Sequence, residues 1–497
     1  MRGLGQGAAA LLCVAGVPVL VLGLVHAFFG VPISAYRPII NDEVAYWHQA
    51  FTFSQAGFSG GYYTVGEVTN ASGLTPFGPH GPGVAVLYGL VGKIFGWHRH
   101  TAVLLNLIAL GTAAWVWVRL GGLSLPRLLL SGLLLVTFWH TVYWAPTGMQ
   151  ESLHHAGAIV MAACFAAALG PAPRRWITAS GWGVLCVLSF IRPSWLILMP
   201  LWAIATTRTS SRTVTIATVA ASLLAGAAIV FAYSSTTAPY ETGFFFLRTA
   251  SLSVGAHEIA SNVMSNVRRL GMLDQFHPIE LLERYQYVAL LLATAVAAVL
   301  AKTAWGQTRG LTPTHLPLTA MAMTIAFVAM LLLYQFTNYA EHRVLSAFLL
   351  FGALLCVAAP GRIGPVLVAG LILSNVVSAR TLLVDLEDAW RGHFVWDRRG
   401  LTELEHAIDG TIVYHPGASR WCNTLLTSQY PPHLIAVPAG IGLSVVRKPE
   451  LMTLPPRSRY VLLDEPVKAA FTGPLDLEPV ATLPYGTLYV NRGSGCD

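Results

Sequence analysis

Asp42 and Glu43 stand side by side in the segment NDEVAYWHQAFTF, shortly after the first long apolar run of the chain. The segment is amphipathic, with aromatics at Tyr46, Trp47, Phe51 and Phe53, and its acids fall at the start of an expected helix. A carboxylate so placed can act as a general base, taking the proton from an acceptor hydroxyl. Two acids at a helix amino end also stabilise the helix dipole, by about 0.3–1 kcal/mol each. The pair by itself does not choose between these roles.

Four further segments carry polar residues in apolar surroundings. In TPFGPHGPGVAVLYGLVGKIFGW, two Gly-Pro steps flank His80 and set a rigid, non-helical approach to an apolar run. His80 could contact a phosphate, ligate a metal or move a proton, or simply occupy the turn. PTGMQESLHH places Glu151, His154 and His155 at i, i+3 and i+4, near one face of a helix. An acid and two imidazoles at that spacing can bind a divalent cation; more often they form a hydrogen-bonded cluster lining a wet cavity. In LSFIRPSWLILMP, Arg192 lies between two apolar half-helices and must neutralise an anion there, a protein carboxylate or a lipid phosphate. In NYAEHRVLSAFLLFGALL, Glu341, His342 and Arg343 open another apolar helix, and Glu341 could pair with one of these arginines.

The elements that must position these residues are membrane helices. Of 497 residues, 55% are apolar and only 11% charged, with a mean hydropathy of +0.59. Soluble domains carry roughly 25% charged residues, so the composition excludes a soluble enzyme, a disordered chain and a disulfide scaffold. The net charge of +7 could suggest nucleic acid. The basic residues instead form short clusters between apolar runs, such as Arg174-Arg175 and Arg208/Arg212, which is the pattern of cytoplasmic loops. Nucleic acid is set aside on that ground.

Spans are expected at 8–29, 101–119, 124–144, 150–169, 176–191, 193–207, 212–233, 286–304, 314–336, 341–359 and 362–379, about 11 helices of the kind a bilayer requires. The first exceeds the length of a signal-peptide core and is expected to be retained, with its amino end inside. Residues 82–97 are apolar but short and carry Lys93. Read as an external juxtamembrane helix, they leave the loops holding Arg119/Arg127, Arg174/Arg175, Arg208/Arg212, Lys302/Arg309 and Arg362 all inside. Loops 30–100 and 234–285 and the tail 380–497 are then external. The polar residues described above gather on that face.

Loop 234–285 is rich in aromatic and basic residues, among them Tyr240, Phe244, Phe245, Phe246, Arg248, Arg268, Arg269, His277 and Arg284. It suits a segment lying on the membrane face, or a packed ordered loop. The tail is more polar, with strand-like runs at 411–414, 460–463 and 487–490, and reads as a small α/β extracytoplasmic domain. Cys13, Cys164, Cys186 and Cys356 lie in apolar segments, while Cys422 and Cys496 lie in the tail, where an oxidising compartment would allow a disulfide.

The ordered series of segments resembles the GT-C superfamily of membrane glycosyltransferases, which use polyprenyl-phosphate sugar donors. The early NDE acids, GPHGPGVAVLYGLVGKIFGW running into a juxtamembrane helix, LSFIRPSWLILMPLWA and AEHRVLSAFLLFGALL carry the resemblance across roughly 30–350. Seven expected helices precede loop 234–285, as in the family. The resemblance implies a polytopic α-helical catalytic region over 1–379, in an inner or plasma membrane of a bacterium. It implies transfer of one sugar, with inversion, to a glycan, glycolipid or protein acceptor outside the cytoplasm. Asp42 then matches the catalytic base, with Glu43 the adjacent candidate; Arg343 and Arg192 hold the donor phosphate. His80, Glu151, His154, His155, Glu341 and His342 line the cavity, and a divalent cation is an open question. The Glu341-His342-Arg343 opening departs from the Arg-aromatic pair of many members and leaves the donor subclass open. Two rivals share these features in part: a polymerase or ligase using a polyprenyl-diphosphate oligosaccharide, and a polytopic transporter.

Overall fold

The structure is a computed structural model describing residues 2–60, 63–65, 74–78, 80–170, 175–237, 252–270, 278–305, 315–333, 343–428, 432–446, 455–471, 475–483 and 486–496. Its bundle is built from α1 (Arg2–Phe29), α2 (Asn41–Ala56), α3 (Pro82–Phe95), α4 (Thr101–Leu120), α5 (Leu125–Thr137), α6 (Trp139–Trp144) and α7 (Glu151–Leu169). After these come α8 (Arg175–Ile191), a 3₁₀ turn at Pro193–Ile197, α9 (Leu198–Thr207), α10 (Arg212–Thr236), α11 (Leu252–Leu270), α12 (Pro278–Trp305) and α13 (His315–Leu333). The last bundle helices are α14 (Arg343–Ala358), α15 (Ile363–Val377) and α16 (Ala379–Phe394).

Among the described residues, five helices are long and apolar enough to cross a membrane: Gly5–Phe29, Thr101–Leu120, Glu151–Leu169, Arg212–Thr236 and His315–Leu332. A sixth is counted if α15 and α16, bent by 61° at Ser378, make one span. The other expected spans correspond to apolar helices of 10–17 residues, short of the ~20 that a straight crossing requires. The run 124–144 is divided at Phe138, whose ψ of 86° leaves the helical region and separates α5 from α6. The run 176–207 is divided at Arg192, which is extended (φ −150°, ψ 122°) before Pro193. Residues 82–97 contain α3, whose first residue is the proline that the helical N1 position favours.

Outward faces of α1 and α10 expose large apolar side chains, with Leu11 and Val19 at 66% and Phe231 at 76% exposure. Water does not tolerate such extended apolar surface, and lipid does. The core instead buries Trp117, Trp195, Trp202, Phe165, Phe348 and Phe351. α7 packs between α4 and α14 at its centre.

The bundle has two unlike ends. Arg119 closes α4, Arg127 opens α5, Arg175 opens α8, Arg212 opens α10 and Arg362 caps α15. Arg127 donates to the carbonyls of Ala358 (3.2 Å) and Gly361 (2.9 Å), and Arg208 to that of Gly170 (2.5 Å). These contacts put the arginines of the short connections together at one end. At the other end meet the starts of α2, α7 and α14 and the carboxyl end of α8. Arg174 and Arg309 lie outside the described residues.

Beyond the bundle, α17 (Arg398–Thr411) leads into a sheet of six strands. These are β1 (Tyr63–Val65), β2 (Thr424–Thr427), β3 (Gly442–Val445), β4 (Tyr460–Leu463), β5 (Leu477–Leu483) and β6 (Gly486–Asn491), and a short helix α18 (Glu465–Ala469) follows β4. Their order is β1-β3-β2-β4-β6-β5, and only β6 runs against its neighbours. Of the three expected strands, 460–463 coincides with β4 and 487–490 falls within β6. Residues 411–414 form no strand: Thr411 ends α17, and Val413 pairs through its backbone with the Tyr460 hydroxyl instead. The edge strand β1 comes from the long first loop, in parallel register with β3. Val44 of α2 enters the sheet core with Ile408, Leu434 and Leu443. The helix carrying Asp42 is therefore held between bundle and sheet.

Cys422 and Cys496 are joined in a disulfide with Cα atoms 5.5 Å apart, while the four other cysteines are free. Closing a loop of 74 residues stabilises the tail by about 4 kcal/mol in the chain-entropy account. Thiol titration of the denatured protein is expected to find four groups before reduction and six after. Six thiols without reductant would refute the bridge.

Candidate active site

α2 begins without a side-chain cap from the residue before it; instead Glu43 folds back onto its own helix start. Its Oε2 accepts from the backbone N–H of Ile39 (3.1 Å) and Ile40 (3.0 Å). The same oxygen pairs with His393 Nε2 at 2.8 Å. Its Oε1 accepts from the Tyr36 hydroxyl (3.1 Å) and the Gly148 N–H (2.9 Å). Gly148 lies in the turn that opens α7, His393 near the end of α16, and Tyr36 stacks on the His393 ring at 5.6 Å. Glu43 is fully buried. Burial favours its protonated form, but His393 and the two backbone donors outweigh this and hold the carboxyl below its usual range. Glu43 therefore fastens three segments: the chain before α2, the turn that opens α7 and the end of α16.

Asp42, one residue earlier, points elsewhere. Its Oδ2 accepts from Arg343 Nη2 at 2.8 Å and its Oδ1 lies 3.5 Å from His80 Nε2. Its side chain keeps 26% exposure, and that of His80 19%. Burial again raises the Asp42 carboxyl, and His80 and Arg343 together lower it further than burial raises it, to well below the ordinary carboxylate range. Arg343 also donates from Nε to Glu151 Oε1 (3.0 Å), which accepts from Arg192 Nη2 as well (2.8 Å). The result is one alternating chain, Asp42–Arg343–Glu151–Arg192, drawn from α2, α14, α7 and the break after α8. Trp144 of α6 lies under the Arg343 guanidinium at 5.9 Å.

His80 is placed by a pinned turn. Phe77 N–H donates to Thr236 O (3.1 Å), Gly78 N–H to Gln49 Oε1 (3.1 Å) and Gly81 N–H to Gly78 O (3.1 Å). Gly81 has φ +83°, and a Cβ there would strike the Tyr233 ring. The His80 ring meets Tyr46 edge-on at 5.0 Å.

His154 and His155 do not converge with Glu151. His154 Nδ1 accepts from Trp195 Nε1 (2.9 Å), and His155 Nε2 pairs with Ser346 Oγ (2.7 Å). Among the described residues no three His, Cys, Asp or Glu side chains are grouped to hold a metal ion. His154 and His155 are instead engaged by Trp195 and Ser346, apart from the Glu151 carboxylate. Buried hydrogen-bonding atoms do surround the ion chain: Tyr46 OH, Gln150 Oε1, Glu151 Oε2, His154 Nε2 and His155 Nδ1 have no partner among the described residues. Such groups cost about 1–3 kcal/mol each when left dry. Glu341 and His342 lie outside the described residues, as do Tyr240, Phe244, Phe245, Phe246, Arg248 and His277.

The sequence draws attention to Asp42, His80, Glu151, Arg192 and Arg343, and all five meet here. It does not mark His393, Tyr36 or Gly148. The Glu43 partner His393 is 350 positions away, in a stretch with no motif of its own.

No protein-family model matches the chain, and no curated protein matches it in sequence. Among solved structures it is similar to ArnT from Cupriavidus metallidurans bound to undecaprenyl phosphate, at 14% identity and a TM-score of 0.40, over 97% of this chain and 98% of that one. It is also similar to the Archaeoglobus fulgidus oligosaccharyltransferase in complex with Zn and sulfate, at 11% identity and a TM-score of 0.48, over 98% of this chain and 73% of that one.

Removing Glu43 tests its fastening role. Glu43→Ala strands the donors of Ile39, Ile40, Gly148 and Tyr36 and is expected to cost about 3–5 kcal/mol, read as a lower melting temperature in detergent. Because its folded carboxyl titrates below its unfolded value of 4.5, the stabilisation is complete above that pH and lost as pH falls below it. A Glu43→Ala protein with unchanged melting would contradict this assignment.

Proposed function

We propose that this chain is a GT-C type glycosyltransferase. It moves a single sugar from a polyprenyl-phosphate donor to a glycan, glycolipid or protein acceptor on the extracytoplasmic side of a bacterial inner or plasma membrane. The observation that carries the reading is the ion chain Asp42–Arg343–Glu151–Arg192 at one end of an apolar bundle. Two guanidiniums in a partly dry site suit a phosphate, which they can bind bidentately. A lipid chain needs an apolar groove beside them, and the bundle is made of such surfaces.

In this reading the acceptor oxygen attacks the anomeric carbon while the bond from that carbon to the phosphate oxygen breaks. Negative charge grows on the leaving phosphate, and preorganised Arg343 and Arg192 stabilise it without reorganising. Asp42, at the open end of the chain, marks the side from which the acceptor hydroxyl loses its proton. One displacement of this kind inverts the anomeric centre.

The sidedness follows from charge. The arginines of the short connections lie at the far end from the site, which by the positive-inside tendency is the cytoplasmic end. The disulfide in the tail agrees, since such bonds persist in oxidising compartments. The ion chain lies at helix ends rather than midway along them, which favours a surface-facing site over a transport pathway through the bilayer.

Purified protein in lipid nanodiscs, given a monophosphate-linked sugar and a diphosphate-linked oligosaccharide in parallel, is expected to turn over the first. Turnover of the second alone would replace this reading with a polymerase or ligase. Asp42→Asn is expected to lower turnover about 10²–10⁴-fold with donor affinity little changed. Arg343→Lys, which keeps the charge and loses the planar fork, is expected to weaken donor binding at least tenfold. Wild-type donor affinity in Arg343→Lys would remove Arg343 from the phosphate site.

A further inference from the structure

Trp396 follows the carboxyl end of α16, where the bundle gives way to the sheet. Its Nε1 donates to the Ala35 carbonyl at 3.1 Å, which fixes the ring against the chain that leaves α1. Three guanidiniums gather on that ring. The Cζ of Arg37 lies 4.9 Å from its centroid, and those of Arg99 and Arg398 each 5.6 Å. They come from separate stretches: the chain before α2, the connection between α3 and α4, and the first residue of α17. Each is attracted to the aromatic face, but cations so close together also repel one another.

Protein acids offset part of that charge. Glu405 of α17 pairs with Arg99, and the Arg37 charge acts on it as well. Asp397 is turned to the start of α17, where its Oδ1 accepts from the Arg399 N–H at 3.0 Å. Three guanidiniums against these two carboxylates leave one positive charge in excess. Arg37 is tied down through Nε to the Gly392 carbonyl at 3.4 Å. Arg398 is exposed, its guanidinium resting on the ring.

The cluster stands beside apolar surface at the end of a span. Phe394, two residues before Trp396, stacks on Phe29 at the end of α1, with ring centroids 5.7 Å apart. Val395 between them is 52% exposed, and α3, which leads to Arg99, ends in Ile94 and Phe95 at 73% and 77% exposure. Apolar side chains next to guanidiniums and a Trp are what a protein presents to the junction of acyl chains and headgroups.

We propose that Arg37, Arg99 and Arg398, gathered on Trp396, bind the phosphate headgroup of an anionic phospholipid in the leaflet around this end of the bundle, with Ile94, Phe95 and Val395 against its acyl chains. A phosphodiester headgroup with one negative charge matches the excess. Its two free oxygens suit guanidinium forks that arrive from different segments. A lipid so held ties the connection between α3 and α4 and the start of α17 to the bilayer. The assignment concerns the lipid around the protein and is independent of the sugar chemistry.

The test uses full-length protein in detergent, with phosphatidylglycerol, phosphatidylcholine or inorganic phosphate added and the melting temperature followed against concentration. Phosphatidylglycerol is expected to raise it saturably, and the other two to leave it unchanged. Arg398→Gln is expected to weaken the phosphatidylglycerol response about three- to tenfold, the range set by one basic residue at an anionic surface. Arg399→Gln removes the next exposed charge along α17 and is expected to stay within about twofold of wild type. Equal losses in the two variants mean diffuse attraction to a basic surface and overturn the site. So does an Arg398→Gln protein that responds like wild type, or a wild type that treats phosphatidylglycerol and phosphatidylcholine alike. Stabilisation by inorganic phosphate at the same concentration makes the ligand free phosphate and overturns the lipid assignment. If Arg398→Gln melts low without lipid, native mass spectrometry of its folded fraction, counting retained phosphatidylglycerol, reads the same difference.

Discussion

The Arg343 guanidinium serves two acids at once, Asp42 through Nη2 and Glu151 through Nε. Those acids come from helices that are distant in sequence, and Glu151 passes the charge on to Arg192. Near a membrane, an unpaired ion of either sign costs several kcal/mol. Two arginines and two acids in alternation cancel formally. That cancellation requires the start of α2, the start of α7, the start of α14 and the break after α8 to arrive at one place. Arg192 stands in the extended break between α8 and the following 3₁₀ turn, and from there reaches across to Glu151. Under the proposed function, a donor phosphate would meet guanidiniums already held in position.

Much of this was legible because charge is scarce. In a chain with 11% charged residues, an Arg before Pro193 or an acid opening an apolar helix has few innocent explanations, and the five residues so marked do meet. Composition likewise announced a helical membrane protein. Span lengths were not legible, because an apolar run does not say where a helix bends: Phe138 interrupts a run with no proline or charge at the break. The sheet was only half visible. Strands β2 and β3 are short and wholly buried, without the alternation that marks a half-exposed strand, and β1 is supplied by a loop hundreds of residues earlier. The spacing at Glu151, His154 and His155 left a cation site and a hydrogen-bonded cluster both open, and the contacts that separate the three side chains are local. Helical periodicity brings side chains to one face, but Trp195 and Ser346, on other elements, then take the imidazoles away from the acid.

Asp42 and Glu43 show how far two neighbouring acids can diverge. At the start of a helix, consecutive side chains point about 100° apart. One of the two turns toward bundle and turn backbone, where four N–H or O–H donors and an imidazole saturate it. The other turns toward the exposed edge, between an arginine and a histidine. Both carboxyls are held ionised, yet for different ends. Glu43 holds the backbone on which Asp42 is carried, and through Gly148 it sets that backbone against the turn that begins the helix of Glu151. The separation between Asp42 and Glu151, and hence the geometry with which Arg343 can span them, is therefore fixed by a fully buried residue. A dipeptide of acids is a weak signal in a sequence because it can be two caps, two bases or one of each; the fold distinguishes them by what each carboxylate is asked to satisfy.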